Sequence, residues 1–161
     1  MILALLAAST IAPISGSWKV VDGLLEGTET CAISQSFADG TSFLFIVDEN
    51  NVKRNEFSLV AENKKWSIRE GERLGDIAVK SDPYAFGSVA ATGPGLFIIG
   101  SFLDRLILFL RAASDSGFTI RISERNKEIG PYAPAGLKPA VDKLEVCLRN
   151  RFSKSPDPFA K

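Results

Sequence analysis

Short β-forming segments fill the sequence between residues 18 and 91, and their order along the chain constrains the fold more than any other feature. Residues 41–48 are rich in β-formers and apolar on both faces, as in a central strand. Residues 56–61 alternate with the period of two that is typical of a half-buried strand. After residue 95 the pattern changes to helix, strand and helix. This order predicts an α+β fold: a mainly antiparallel β-sheet, sandwich-like or half-barrel, with two amphipathic helices packed on it.

The other elements follow from the same patterns. The first helix is predicted over residues 101–112, with Ser101 as its cap and Asp104 in its first turn, and the second over residues 137–149. Residues 127–134 are predicted to be turn-like. A membrane helix over residues 96–110 is disfavoured, because Asp104 and Arg105 lie near its middle. Further strands are predicted over residues 18–21, 29–37, 66–68, 74–80, 84–91, 96–99 and 118–122.

The N-terminus has the pattern of a secretory signal peptide. Residues 2–14 carry no charge and are apolar or small, and the small residues Ser15, Gly16 and Ser17 follow them. We therefore expect a leader over residues 1–17, one globular domain over residues 18–152 and a loose tail over residues 153–161. No Lys or Arg precedes the apolar run, although signal peptides usually begin with a basic residue. The alternative to a leader is that the apolar run forms a buried first strand or helix of the domain. A leader predicts a periplasmic or secreted protein without a transmembrane anchor after its removal.

The chain has two cysteines, Cys31 and Cys147. In an exported protein two cysteines tend to pair. Their disulfide would close nearly the whole mature chain into one loop, which contributes at most roughly 4–5 kcal/mol to the free energy of unfolding. The alternative is two independent buried thiols in a cytosolic protein.

Composition excludes several kinds of chemistry. The chain has no histidine, which rules out Ser-His-Asp and Cys-His catalysis as well as His-ligated zinc. Its 19 basic and 19 acidic residues balance, so net charge gives no reason to expect nucleic acid as a partner. No cofactor, metal site or catalytic residue is predicted. A carboxylate-dependent hydrolase needs two carboxylates roughly 5–10 Å apart in the fold. Glu70 and Glu72 lie on the same side of the chain if that segment is extended, with Asp76 close by, but such groups are more common in solvated turns.

Aromatic residues raise a second possibility in the strand-rich region. Core packing is their ordinary role, whereas several of them exposed on one sheet face would indicate a ligand or protein partner. The residues concerned are Phe43, Phe45, Phe57, Trp66, Tyr84, Phe86 and Phe97.

The C-terminal third resembles a known family. Ile129-Gly130, Gly136-Leu137 and residues 140–144 follow an early Trp and Cys and a strand-rich middle. This arrangement is similar to small secreted proteins of α-proteobacteria, including the invasion-associated locus B family. The resemblance implies a β-rich periplasmic or secreted protein that acts at an envelope or host surface. The family usually carries further cysteines that this chain lacks, so its disulfide pattern is not carried over.

These observations favour a non-catalytic, exported protein that binds another macromolecule, such as an inhibitor, adaptor or host-interaction factor. Its expected mark is an exposed apolar patch without a deep polar pocket. A carboxylate-dependent hydrolase is the first alternative, and its mark is a concave site that holds Asp or Glu with a perturbed pKa. A structural accessory domain of the envelope is the second, with neither feature.

Overall fold

A computed structural model describes residues 10–152. It contains α1 (Glu49–Lys53), α2 (Leu103–Ser116) and α3 (Leu137–Phe152), and a 3₁₀ turn at Ser123–Arg125. Among the described residues, no helix has the length and apolar character needed to cross a membrane. The strands, in chain order, are β1 (Lys19–Leu25), β2 (Thr28–Ser36), β3 (Ser42–Asp48), β4 (Glu56–Glu62), β5 (Asp76–Ser81), β6 (Tyr84–Val89), β7 (Ala91–Gly93), β8 (Leu96–Phe102), β9 (Phe118–Ile122) and β10 (Lys127–Tyr132).

The strands form two antiparallel sheets. The larger has the order β1-β2-β3-β4-β8-β7 and the smaller the order β10-β9-β5-β6. Every strand pair within these sheets is antiparallel. The predicted α+β class with antiparallel sheets is therefore confirmed, and the two predicted amphipathic helices correspond to α2 and α3.

Strand β3 is central, as its sequence predicts, and lies between β2 and β4. Its side chains alternate strictly in burial, because successive residues of a strand point to opposite faces. Phe43 and Phe45 point inward and pair with Ala61 and Leu59 of β4. The opposite face of β3 is only half-buried. At β3 one face of the larger sheet therefore belongs to the core and the other is partly open to solvent.

The core lies between the inner face of the larger sheet, the smaller sheet and the two long helices. Helix α2 buries Leu106, Phe109, Leu110 and Ala113, which recur at helical spacing. Phe118 of β9 joins the layers, since its ring centroid lies 6.2 Å from that of Phe109 and 5.1 Å from that of Phe43. Within residues 10–152, the buried hydrophobic side chains other than Ala32 form one cluster.

Helix α3 carries the second cysteine to the sheet. Cys147 lies on its buried side, and Cys31 lies on the inner face of β2. Their sulfur atoms are 2.03 Å apart and their Cα atoms 5.9 Å apart, so the predicted Cys31–Cys147 disulfide is present in the structure. The bridge ties the last helix to the second strand.

Residues 66–68 are not a strand, contrary to the sequence prediction. They lie in the loop between β4 and β5, where the Trp66 backbone N–H donates to the carbonyl of Asn63. The Trp66 ring stacks on Phe97, with 5.6 Å between the centroids and 11° between the planes. An apolar side chain that packs from a loop produces the same short apolar pattern as a strand.

The segment predicted as a turn, residues 127–134, instead contains strand β10. Gly130 and Pro131 suggested a turn, but they lie at an irregularity in the pairing with β9, between Ile129 and Tyr132. An edge strand tolerates both residues, because its outer backbone groups need no strand partner.

The first long helix begins at Leu103 rather than at residue 101. Ser101 is still part of β8, where it pairs with Phe57 of β4. Phe102 occupies the cap position and makes no side-chain capping bond. Strand pairing therefore extends two residues past the expected helix start.

The predicted leader lies partly within the described chain. Ile11 forms an isolated bridge with Tyr132, and Pro13 forms one with Phe37. The rest of the leader, residues 1–9, and the predicted tail, residues 153–161, lie outside the described residues.

Candidate interaction surface

The three candidate carboxylates have different surroundings. Glu72 accepts a hydrogen bond from the backbone N–H of Arg69 at 3.0 Å and another from the guanidinium of Arg125 at 2.8 Å. The Arg69 N–H, and after it the charge of Arg125, lower the pKa of Glu72. Glu70 and Asp76 are exposed. A general acid needs a raised pKa, so the environment of Glu72 opposes that role.

Within residues 10–152, no group of three or more Cys, Asp or Glu side chains is arranged so that it could hold a metal ion.

The candidate aromatic residues mostly serve the core. Five of the seven are buried, Trp66 is half-buried on Phe97, and Tyr84 is exposed at the start of β6. These seven residues therefore do not form an exposed aromatic face. The buried five are Phe43, Phe45, Phe57, Phe86 and Phe97.

A buried polar network joins the two sheets, and the sequence gives no local sign of it. The Tyr132 hydroxyl lies 3.0 Å from Oδ2 of Asp39 and 3.3 Å from Oγ1 of Thr41. Asn63 donates to the same Thr41 oxygen at 3.0 Å and to the Asp39 carbonyl at 3.1 Å. Burial, and to a smaller extent the Asp39 carboxylate, raise the pKa of Tyr132. A neutral tyrosine that is held in this way positions the β2–β3 turn against β10.

The outer face of the larger sheet is the strongest candidate for a functional surface. Two rows of paired residues cross it at neighbouring register positions. The first row has an aliphatic centre, and the second is mostly hydroxyl and charged. We call the two rows the outer patch; they are Lys19, Ser34, Leu44, Val60 and Ile98, followed by Ser36, Ser42, Glu62 and Leu96.

The outer patch is concave and open to solvent. A concavity of about 740 Å³ lies over its part on β1–β4, and Leu96 and Ile98 of β8 lie outside that concavity. Ser15 and Ser17 of the N-terminal segment line one side of it, and Leu44 and Val60 form part of its floor. The Ser36 and Ser42 hydroxyls are 2.8 Å apart and bond to each other.

The outer patch combines aliphatic, hydroxyl and charged side chains. Lys19 and Glu62 lie on different strands, β1 and β4, which are separated by β2 and β3. Within residues 10–152, no hydroxyl of the outer patch is hydrogen-bonded to a basic side chain, the arrangement that activates a nucleophile. A mixed aliphatic and polar surface is the usual composition of a protein–protein interface.

Comparisons with known proteins return nothing: no protein-family model, no curated protein and no solved structure matches the chain.

Proposed function

We propose that this chain is an exported, non-catalytic protein that binds another protein through its outer patch. The observation that carries the proposal is the open aliphatic row at the centre of the larger sheet. Leu44, Val60 and Ile98 lie side by side on three neighbouring strands, and Ile98 is 38% exposed. The side chains on the solvent-facing side of a sheet are normally polar. An aliphatic row on that side therefore favours a protein partner that covers it.

The openness of the outer patch favours a protein partner over a small ligand. Pockets for small molecules are mostly enclosed, with a few polar groups that converge on the ligand. The outer patch instead spreads its hydroxyl groups along the edge of the aliphatic row. That arrangement is typical of an interface with an apolar centre and a polar rim.

Export rests on the apolar N-terminus and on the disulfide. A disulfide between Cys31 and Cys147 persists in an oxidising compartment and is rare in the cytosol. The resemblance to the invasion-associated locus B family, carried by residues 129–144, points to the same compartment. We therefore expect the partner in the periplasm or outside the cell.

Photo-crosslinking from the patch tests this proposal. A photoreactive amino acid in place of Val60, in cells that produce the protein, should give one discrete protein adduct in the extracytoplasmic fraction. Leu44→Lys on the same chain should reduce the yield of that adduct by roughly tenfold or more, because it places a charge at the centre of the interface. A melting curve of each variant establishes that it folds.

Val146 provides the matched control. It is a valine that is 45% exposed, more than the half-buried Val60, and it lies on α3, which packs on the opposite, inner face of the larger sheet. The photoreactive amino acid at position 146 should not give the same adduct. An identical adduct from both positions, or none from position 60, would contradict the proposal.

A further inference from the structure

A second cleft is lined by residues from both sheets and from the loop between β4 and β5. Its volume is about 240 Å³. Phe97 of β8 belongs to the larger sheet, Ile122 of β9 and Ile129 of β10 belong to the smaller sheet, and Trp66 belongs to the loop. We call it the sheet-junction cleft. Within the part of the chain that the structure describes, it shares no lining residue with the concavity over the outer patch.

The interior of the sheet-junction cleft is apolar. Leu74 and Phe97 are buried at its base, whereas Trp66, Ile68 and Ile129 are half-buried and pack against the core. Half-buried apolar side chains that line a cavity keep part of their surface in contact with water. A ligand with an apolar body would remove that surface from water, which favours binding.

The rim of the cleft is basic. Lys65, Arg125 and Lys127 line it with exposed side chains, and no Asp or Glu of residues 10–152 lines it. Arg125 is already held by Glu72, whose carboxylate lies 2.8 Å from its guanidinium. Neither lysine forms an ion pair with a carboxylate of the described chain. The two lysines are therefore available to an anion from outside the chain.

The alternation of β10 keeps the neighbouring acid away from this rim. Glu128 lies between Lys127 and Ile129 in sequence, and successive side chains of a strand point to opposite faces. Glu128 accordingly lines a different cavity, together with Lys80. The basic rim is thus a local feature of a chain whose net charge is zero.

The size of the cleft limits its ligand. It is smaller and more enclosed than the concavity over the outer patch, and its volume lies below the roughly 300–1,000 Å³ of pockets for drug-sized molecules. We propose that the sheet-junction cleft binds a small, dissolved amphipathic anion. Its short aliphatic or aromatic body packs against Trp66 and Ile129, and its carboxylate or phosphate group binds the lysines of the rim. This binding is independent of the protein partner at the outer patch.

Trp66 provides the signal for the test. The chain has two tryptophans, and the other, Trp18, is only 4% exposed in the core. Octanoate should change the tryptophan fluorescence of the folded protein in a saturable way, because its alkyl chain replaces water beside Trp66. Trp66→Phe keeps an aromatic ring on Phe97 and should abolish that change. A change that persists in this variant, or no saturable change in the parent chain, would overturn the proposal.

The role of the charges is tested separately. 1-Octanol has the same alkyl chain without the charge and should bind roughly tenfold more weakly or worse. Lys65→Gln combined with Lys127→Gln should raise the Kd of octanoate roughly tenfold. The matched control combines Lys53→Gln with Lys143→Gln, at exposed sites on α1 and α3, and removes the same charge elsewhere. Equal weakening by the two pairs, or equal affinity for octanoate and octanol, would refute the site. Melting curves establish that both double variants fold.

Vesicles of phosphatidylglycerol separate a dissolved anion from a membrane lipid. The parent chain should remain in the supernatant when these vesicles are sedimented, and it should still bind octanoate there. Cosedimentation that the Lys65→Gln and Lys127→Gln pair abolishes would assign the basic rim to a membrane surface and overturn the binding of a dissolved anion.

Discussion

At the scale of single residues, Tyr132 shows how one hydroxyl joins distant parts of the chain. It bonds Asp39 and Thr41 in the β2–β3 turn while its ring packs on Phe37, with 4.9 Å between the centroids. Tyr132→Phe keeps the ring and should lower the free energy of unfolding by about 1–2 kcal/mol in urea titration. Tyr84→Phe, at an exposed site, should change it by less than about 0.5 kcal/mol. Equal effects of the two variants would refute this role of the Tyr132 hydroxyl.

The raised pKa of Tyr132 adds a pH dependence. The folded chain holds the phenol proton more tightly than the unfolded chain, whose tyrosines titrate near pH 10, at about the usual value. The contribution of Tyr132 to stability is therefore complete below about pH 10 and is lost as the pH rises above it. Between pH 9 and pH 11 the parent chain should lose about 1 kcal/mol more than Tyr132→Phe. Parallel curves in urea titrations at the two pH values would contradict this assignment.

Single-residue patterns could not have predicted this network. Asp39-Gly40 has the composition of a turn, and the structure confirms a tight connection between β2 and β3. Tyr132, however, lies 93 positions from Asp39. Its contact depends on the packing of β10, which the sequence pattern assigned to a turn. Hydrogen bonds between distant side chains follow from tertiary packing and leave no local pattern.

At the scale of elements, helices α2 and α3 carry exposed ion pairs as well as buried apolar side chains, and we expect the two kinds of contact to contribute differently to the free energy of unfolding. Arg111 lies 2.5 Å from a carboxylate oxygen of Asp142 and 2.6 Å from one of Glu145, but all three side chains are more than a third exposed. Exposed ion pairs contribute little, so Arg111→Met should cost under about 1 kcal/mol, with a smaller loss at high salt. Leu144→Ala, in the core, should cost about 2–5 kcal/mol. Denaturant titrations that reverse this ranking would refute the argument.

The N-terminal segment is an element whose contribution can be measured directly. A chain that begins at Trp18 lacks the four backbone hydrogen bonds of residues 11–14 and the carbonyls of Ser15 and Ser17, which accept from the Gln35 side chain. At about 1 kcal/mol for each backbone bond, it should be roughly 4 kcal/mol less stable in urea than a chain that begins at Thr10. Equal unfolding midpoints would show that the segment is dispensable for stability.

Elements with strong local periodicity could be predicted from the sequence, whereas those that depend on distant partners could not. Residues 56–61 alternate with a period of two and form β4 with nearly the same bounds. Residues 127–134 contain Gly130 and Pro131, and only the pairing with β9 makes them a strand. Trp66 has an apolar neighbourhood because it stacks on Phe97 from a loop. The periodicity of apolar residues indicates which side chains are buried, but it does not indicate which strand, helix or loop buries them.

At the scale of the whole molecule, the position of the outer patch could not be predicted from the sequence. The apolar residues on both faces of β3 predicted burial on both sides, but the packed helices and the smaller sheet cover only one. Which face stays open depends on the three-dimensional arrangement of both sheets. The sequence of β3 therefore indicates more aliphatic side chains than one buried face needs. The fold places the additional ones on the open outer face.

The disulfide acts on the whole molecule, since it links positions 116 residues apart. By loop entropy it reduces the freedom of the unfolded chain by the equivalent of at most about 5 kcal/mol. Replacing both cysteines by alanine should therefore lower the free energy of unfolding in guanidinium by several kcal/mol, and reductant should move the parent chain in the same direction. Reductant should leave the variant unchanged, because it has no other cysteine. A parent chain with the same midpoint with and without reductant, in a mass-verified oxidised sample, would show that the bridge does not stabilise the fold.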